Sequence, residues 1–60
     1  MKFLSVKNLN EKITLINIDY IVAIEEKADR TIIYLRDRNW VETDKPAFQI
    51  YTEINKREVF

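Results

Sequence analysis

Two short runs, Tyr20-Ile21-Val22-Ala23-Ile24-Glu25 and Thr31-Ile32-Ile33-Tyr34-Leu35, limit most strongly what this chain can become. Both are rich in β-branched and aromatic residues and too short for helices of ordinary length, so they read as strands. Both also carry apolar residues at odd and even positions. The sheet they form must therefore be covered on two sides rather than one.

The charged stretch Lys27-Ala28-Asp29-Arg30 closes these runs into a hairpin, with Glu26 opposite Thr31. That register sets Ile24 against Ile33 and Val22 against Leu35 on one face, and puts Ile21, Ala23, Ile32 and Tyr34 on the other. Arg36-Asp37-Arg38-Asn39-Trp40 suits a three-residue hairpin loop ending in a left-handed residue, here Asn39. Leu35 then pairs with Val41 and Arg36 with Trp40. Val41 joins the first face, and Trp40 joins Ile32 and Tyr34 on the second.

At 60 residues the chain is expected to form one domain. A domain of that size buries only about 60% of the surface its unfolded chain exposes, and usually needs disulfides, a metal or association. Cysteine and histidine are both absent. Disulfides are excluded and only oxygen ligands remain for a metal, which leaves association with another chain.

Ten Lys and Arg balance ten Asp and Glu, so no overall field draws the protein to nucleic acid or to an anionic membrane. With 47% hydrophobic residues, the composition is that of a folded domain. No apolar run reaches the roughly 20 residues that cross a bilayer, and the apolar stretch at the start is too short for a signal peptide. A cytoplasmic location is expected, with no membrane contact.

The chain contains no glycine, so turns that require positive φ are expected to use Asn or Asp. Lys2 to Lys7 reads as a first strand, with Leu4 and Val6 on one face and Met1, Phe3 and Ser5 on the other. A turn at Asn8-Leu9-Asn10-Glu11 leads to a second strand, Lys12 to Asn17, in which Ile13 and Leu15 alternate with Lys12 and Thr14. Asn17 and Asp19 mark a bend at Ile16-Asn17-Ile18-Asp19.

Thr43-Asp44-Lys45-Pro46 opens a helix, with Thr43 or Asp44 as the cap and Pro46 in the first turn. At about 100° per residue, Ala47, Phe48, Ile50, Tyr51 and Ile54 share an arc of roughly 160°. This arc is expected to cover Val22, Ile24, Ile33, Leu35 and Val41. The tail, Lys56 to Phe60, is expected to fray, with Val59 and Phe60 free to dock on a neighbour.

Catalytic chemistry finds little support. Histidine and cysteine, the usual groups for acid-base and nucleophilic work at neutral pH, are missing, and Ser5 has no base to activate it. Phosphate-cradling loops need glycine. Glu25 and Glu26 are adjacent on a strand and point to opposite faces, so they cannot act as a pair. Glu11, Asp19 and Asp37 have no calcium-loop spacing. The chain is expected to be non-enzymatic, with no cofactor, no metal and no small-molecule substrate.

Two groups of residues are candidates for function. Ile21, Ile32, Tyr34 and Trp40, with Ala23 beside them, form an apolar and aromatic surface suited to a protein interface, most simply a homo-oligomer. Alternatively the first two strands curl over and bury it. Lys27, Arg30, Arg36 and Arg38, with Lys45 nearby, could contact nucleic acid, with Tyr34 and Trp40 stacking on bases. Asp29, Asp37, Glu25, Glu26 and Asp44 are interleaved with them and cancel most of the field.

The order of elements resembles the small FlbD-like proteins encoded among flagellar and motility functions. The likeness lies in an opening strand, Leu9-Asn10-Glu11-Lys12 before a second strand, Asn17-Ile18-Asp19-Tyr20-Ile21 leading into Val22 to Glu26, and then Thr31 to Leu35. It implies a short further strand and a terminal helix. Such proteins tend to carry a glycine where Asn10-Glu11 or Arg38-Asn39 stands here.

Residues Ile18 to Ile54 also resemble part of a LytTR DNA-binding domain. There an Asp-x-Ile-x-x-Ile-Glu run, here Asp19 to Glu25, enters a strand hairpin and then a helix. That resemblance implies β-rich structure and offers a small nucleic-acid-binding regulator as the alternative function.

The expected fold is a β-rich α+β domain: a strongly bent antiparallel sheet of four or five strands, or a small barrel, with one C-terminal helix on one face. The expected function is a homo-oligomeric interaction or assembly module.

Overall fold

Five strands and one helix follow in chain order: β1 (Phe3–Lys7), β2 (Ile13–Asn17), β3 (Ile21–Glu26), β4 (Thr31–Leu35), β5 (Trp40–Thr43) and α1 (Ala47–Glu58). The computed structural model describes the backbone of residues 2–58 and the side chains of residues 2–56. The expectations placed on Met1, Val59 and Phe60 lie outside the described residues. A 3₁₀ turn, Ile18–Tyr20, sits at the expected bend, where the Asn17 side chain accepts a bond from the Asp19 amide.

The fold is β-rich with a C-terminal helix, as expected. Its strands pair entirely antiparallel, in a two-stranded β1–β2 sheet and a three-stranded β3–β4–β5 sheet. One isolated bridge, Asn8 to Thr43, joins the two sheets. The Leu9 amide also donates to Glu42 O at 3.1 Å, and the Thr43 hydroxyl donates to Lys7 O at 2.8 Å. Thr43 is fully buried there because its one polar side-chain atom is satisfied.

Two of the three hairpins turn on a left-handed residue, and neither is Asn or Asp. They are Glu11 (φ 64) and Arg38 (φ 73). Asparagine and aspartate organise the turns through their side chains instead. Asn8 Oδ1 accepts from the amides of Asn10 and Lys12, and Asp37 Oδ1 accepts from that of Asn39. With Arg38 rather than Asn39 left-handed, Val41 pairs with Ile33 and Trp40 with Tyr34, two residues from the expected register. An even shift preserves the faces.

The core consists of Leu4, Val6, Ile16, Ile18, Ile33 and Ile50, with Ile21, Ile24, Leu35, Val41 and Ile54 packed around it. On β2, Ile13 and Leu15 alternate with Thr14 as expected and point outward, and the inward residue is Ile16, opposite Leu4. Both faces of β2 are apolar, and its pairing with Leu4 and Val6 selects one. Two expectations, on β3 and on α1, are corrected.

On β3 the expected register holds from Glu26 back to Ala23, and a bulge then brings Ile21 opposite Leu35. Ile21 turns inward and Val22 is left 60% exposed, the reverse of simple alternation. Among the described side chains of α1, only Ile50 and Ile54 belong to the core or pack against it, and Phe48, 71% exposed, and Tyr51 lie outside.

Candidate functional site

The outward face of the three-stranded sheet is built in two rows that follow from its register. One row runs Ala23, Tyr34, Trp40 across β3, β4 and β5, and the next runs Glu25, Ile32, Glu42. Residues of one row sit about 5 Å apart, and the rows lie about 7 Å apart along the strands. The surface is therefore an apolar bar beside a mixed acidic bar.

Its polar tips are tied to one another. The Tyr34 hydroxyl donates to Glu25 Oε1 at 2.8 Å, and the Trp40 indole N–H donates to Glu42 Oε2 at 3.2 Å. Arg30 joins the second row through a 2.7 Å ion pair with Glu42, and its other guanidinium nitrogen reaches Asp29 at 3.1 Å. The bond to Glu25 is the main reason the Tyr34 phenol is pushed above its ordinary pKa. The bond to Arg30 holds the Asp29 carboxyl below its own, and the same bonds raise the Arg30 guanidinium.

Of the four residues expected at an interface, Ile32, Tyr34 and Trp40 share this face. Ile32 lies at its centre and is buried, Tyr34 is half-buried, and Trp40 is 56% exposed. Ile21 is not on the face, because the bulge turns it into the core. Val22, left out by the same bulge, is the exposed residue that alternation concealed. With the O–H and N–H of its aromatics already bonded, the face offers flat ring surface and aliphatic carbon to a partner.

The four basic candidates do not converge. Lys27 and Arg30 lie at the β3–β4 turn and Arg36 and Arg38 at the β4–β5 turn, at opposite ends of the five residues of β4. That length amounts to roughly 17 Å. Arg30 is neutralised as described. Arg36 lies over the Tyr20 ring at 5.8 Å and donates to Asp19 O at 3.1 Å. Lys45 is paired with Glu53 at 3.2 Å.

A shallow cleft of 170 Å³ beside the first turn is lined by Glu26, Asp29 and Asp44 as well as by Lys27 and Arg30. Three carboxylates against two cations do not attract an anion.

A second apolar surface had no place in the expected design. It is the outward face of β1–β2, where Ile13 and Leu15 are 66% and 64% exposed and Phe3 is partly exposed. The signal for it is the double-faced apolar pattern of Ile13 to Ile16. Compared with protein-family models, curated proteins and solved structures, the chain matches none of them.

Proposed function

We propose that this protein is a non-enzymatic cytoplasmic assembly module that forms homo-oligomers. The observation that carries the reading is the outward face of the three-stranded sheet. There a Trp40 ring more than half exposed lies beside Tyr34, and the polar atoms of both are bonded within the face. Aromatic residues held rigid in this way are the usual anchors of protein interfaces, because docking on them costs little side-chain entropy. A 60-residue domain also gains stability by covering such surface.

The bridge between Asn8 and Thr43 supports a finer reading of the fold, in which the two sheets act as one strongly bent sheet with its corner at β5. The resemblances to FlbD-like proteins and to part of a LytTR domain agree with a β-rich module.

Nucleic-acid binding through Lys27, Arg30, Arg36 and Arg38 is the weaker reading. The two aromatics that would stack on bases are bonded to carboxylates, which repel phosphates.

Sedimentation velocity from low to high micromolar concentration tests the proposal. Species above monomer that Trp40→Glu removes without loss of folding are expected. A strict monomer throughout, or salt-sensitive binding of mixed-sequence DNA or RNA lost on Arg36→Ala and Arg38→Ala, would overturn it.

A further inference from the structure

We infer that the partner of the Trp40 face is the outward β1–β2 face of a second copy, so that the chain assembles head to tail. The inference rests on the assembly reading above and specifies its geometry. The register gives the β1–β2 face six outward positions: Phe3, Ser5 and Lys7 on β1, and Ile13, Leu15 and Asn17 on β2. None is acidic, its one charge is Lys7, and Ile13 lies directly opposite that lysine.

The Trp40 face has the complementary arrangement. Its apolar bar of Ala23, Tyr34 and Trp40 adjoins a row carrying Glu25 and Glu42. Glu42 is compensated by Arg30, which leaves the carboxylate of Glu25, bonded to a neutral phenol, as the charge available to a cation. Each face thus sets apolar carbon within one strand spacing or one row of a charge, and the charges are opposite in sign.

The same observations disfavour symmetric pairing. Either face set against itself offers charge of one net sign only, whereas the two faces set against each other offer opposite charges that can pair. A contact between two different patches of one chain is heterologous, and it propagates into a ring or an open filament. The two-stranded face is only about 17 Å by 10 Å, so the contact belongs with interfaces under about 1,200 Å² and is expected to be weak and concentration-dependent. Two further exposed aromatics, Phe48 and Tyr51 on α1, have uncharged Gln49, Thr52 and Asn55 beside them and so offer neither face a complementary charge from those positions.

The test uses two variants that each destroy one face, Leu15→Glu and Trp40→Glu. Both positions are largely exposed, and circular dichroism checks folding; Ile13→Glu and Ala23→Glu, also at exposed positions of the two faces, are the second pair should either variant unfold. Head-to-tail assembly predicts that each variant alone is monomeric by sedimentation velocity. An equimolar mixture forms a one-to-one complex and nothing larger, because each partner supplies the face the other lacks.

Lys7→Glu should weaken wild-type association on the order of tenfold or more, and Glu25→Lys in the same chain should recover most of it. If the wild-type chain assembles but only one of the two variants is monomeric, or the mixture stays monomeric, the head-to-tail inference fails and the assembly reading survives. A monomeric wild-type chain removes both.

Discussion

The carboxylate of Glu26, the last residue of β3, accepts a 2.9 Å hydrogen bond from the backbone amide of Ala47, the first residue of α1. The Pro46 carbonyl accepts the first helical bond, from Ile50, so proline occupies the capping position and has no side-chain acceptor to offer. Thr43 and Asp44, the caps expected from local sequence, do not perform this role. The Thr43 hydroxyl is engaged with Lys7 O and the Lys45 amide instead. A carboxylate at the positive end of the helix dipole also ties the helix to the sheet.

Glu26→Ala should therefore lower stability by about 1 kcal/mol, the usual cost of losing a cap. Urea unfolding followed by far-ultraviolet circular dichroism measures it. Thr43→Ser keeps the hydroxyl, and Asp44→Ala leaves the cap untouched. Equal losses for Asp44→Ala and Glu26→Ala would show that the cap is local after all.

The two left-handed residues lead to a gain-of-stability prediction. A residue with a Cβ costs roughly 1–2 kcal/mol in that region. Glycine removes this strain and returns about 0.5–1 kcal/mol of it through the greater freedom of the unfolded chain. Glu11→Gly and Arg38→Gly should each stabilise the protein by about 0.5–1 kcal/mol, additively because they lie in separate hairpins. Urea midpoints that do not rise in either variant would contradict the turn geometry.

The bulge in β3 reverses the roles of two neighbours. Ile21, packed against the core, should cost about 1–3 kcal/mol on truncation to Ala, whereas Val22→Ala should stay within about 0.5 kcal/mol. The same contrast applies on α1. Ile50→Ala should cost about 2–5 kcal/mol, against a small change for Phe48→Ala. Thermal or urea unfolding of the four variants measures both contrasts.

The Tyr34–Glu25 bond predicts an alkaline signature. The folded phenol titrates above its ordinary value of about 10, so its contribution to stability is complete below about pH 10 and is lost as pH rises through the higher folded value. Asp29 behaves in the opposite sense. Its lowered pKa gives a contribution present above about pH 4 and lost as pH falls through the folded value. Tyrosinate absorbance should contain a late component that Tyr34→Phe abolishes and Glu25→Gln moves back toward lower pH.

Much of this structure could be read along the chain. Runs of β-branched residues between Asn- and Asp-rich turns mark the strands, Asn17 marks the bend, and the period after Pro46 marks the helix. Local chemistry also places Ile32, Tyr34 and Trp40 on one face, because pairing Glu26 with Thr31 counts inward and outward residues correctly as far as Ala23. What remained hidden has one cause. Ile13 to Ile16, Ile21 to Ile24, and the helix from Ala47 to Ile54 each offer more than one apolar side, and periodicity alone does not rank them.

The sequence by itself determined the elements, their order, their antiparallel hairpins and the absence of the residue types that most catalysis requires. Those properties depend on backbone preferences and on the contacts of near neighbours. Only the tertiary structure decided that Ile21 rather than Val22 turns inward, that Ile13 and Leu15 face outward, and that Glu26 caps a helix 21 residues away. Burial and capping both need a partner surface, and that surface exists only once distant segments have packed.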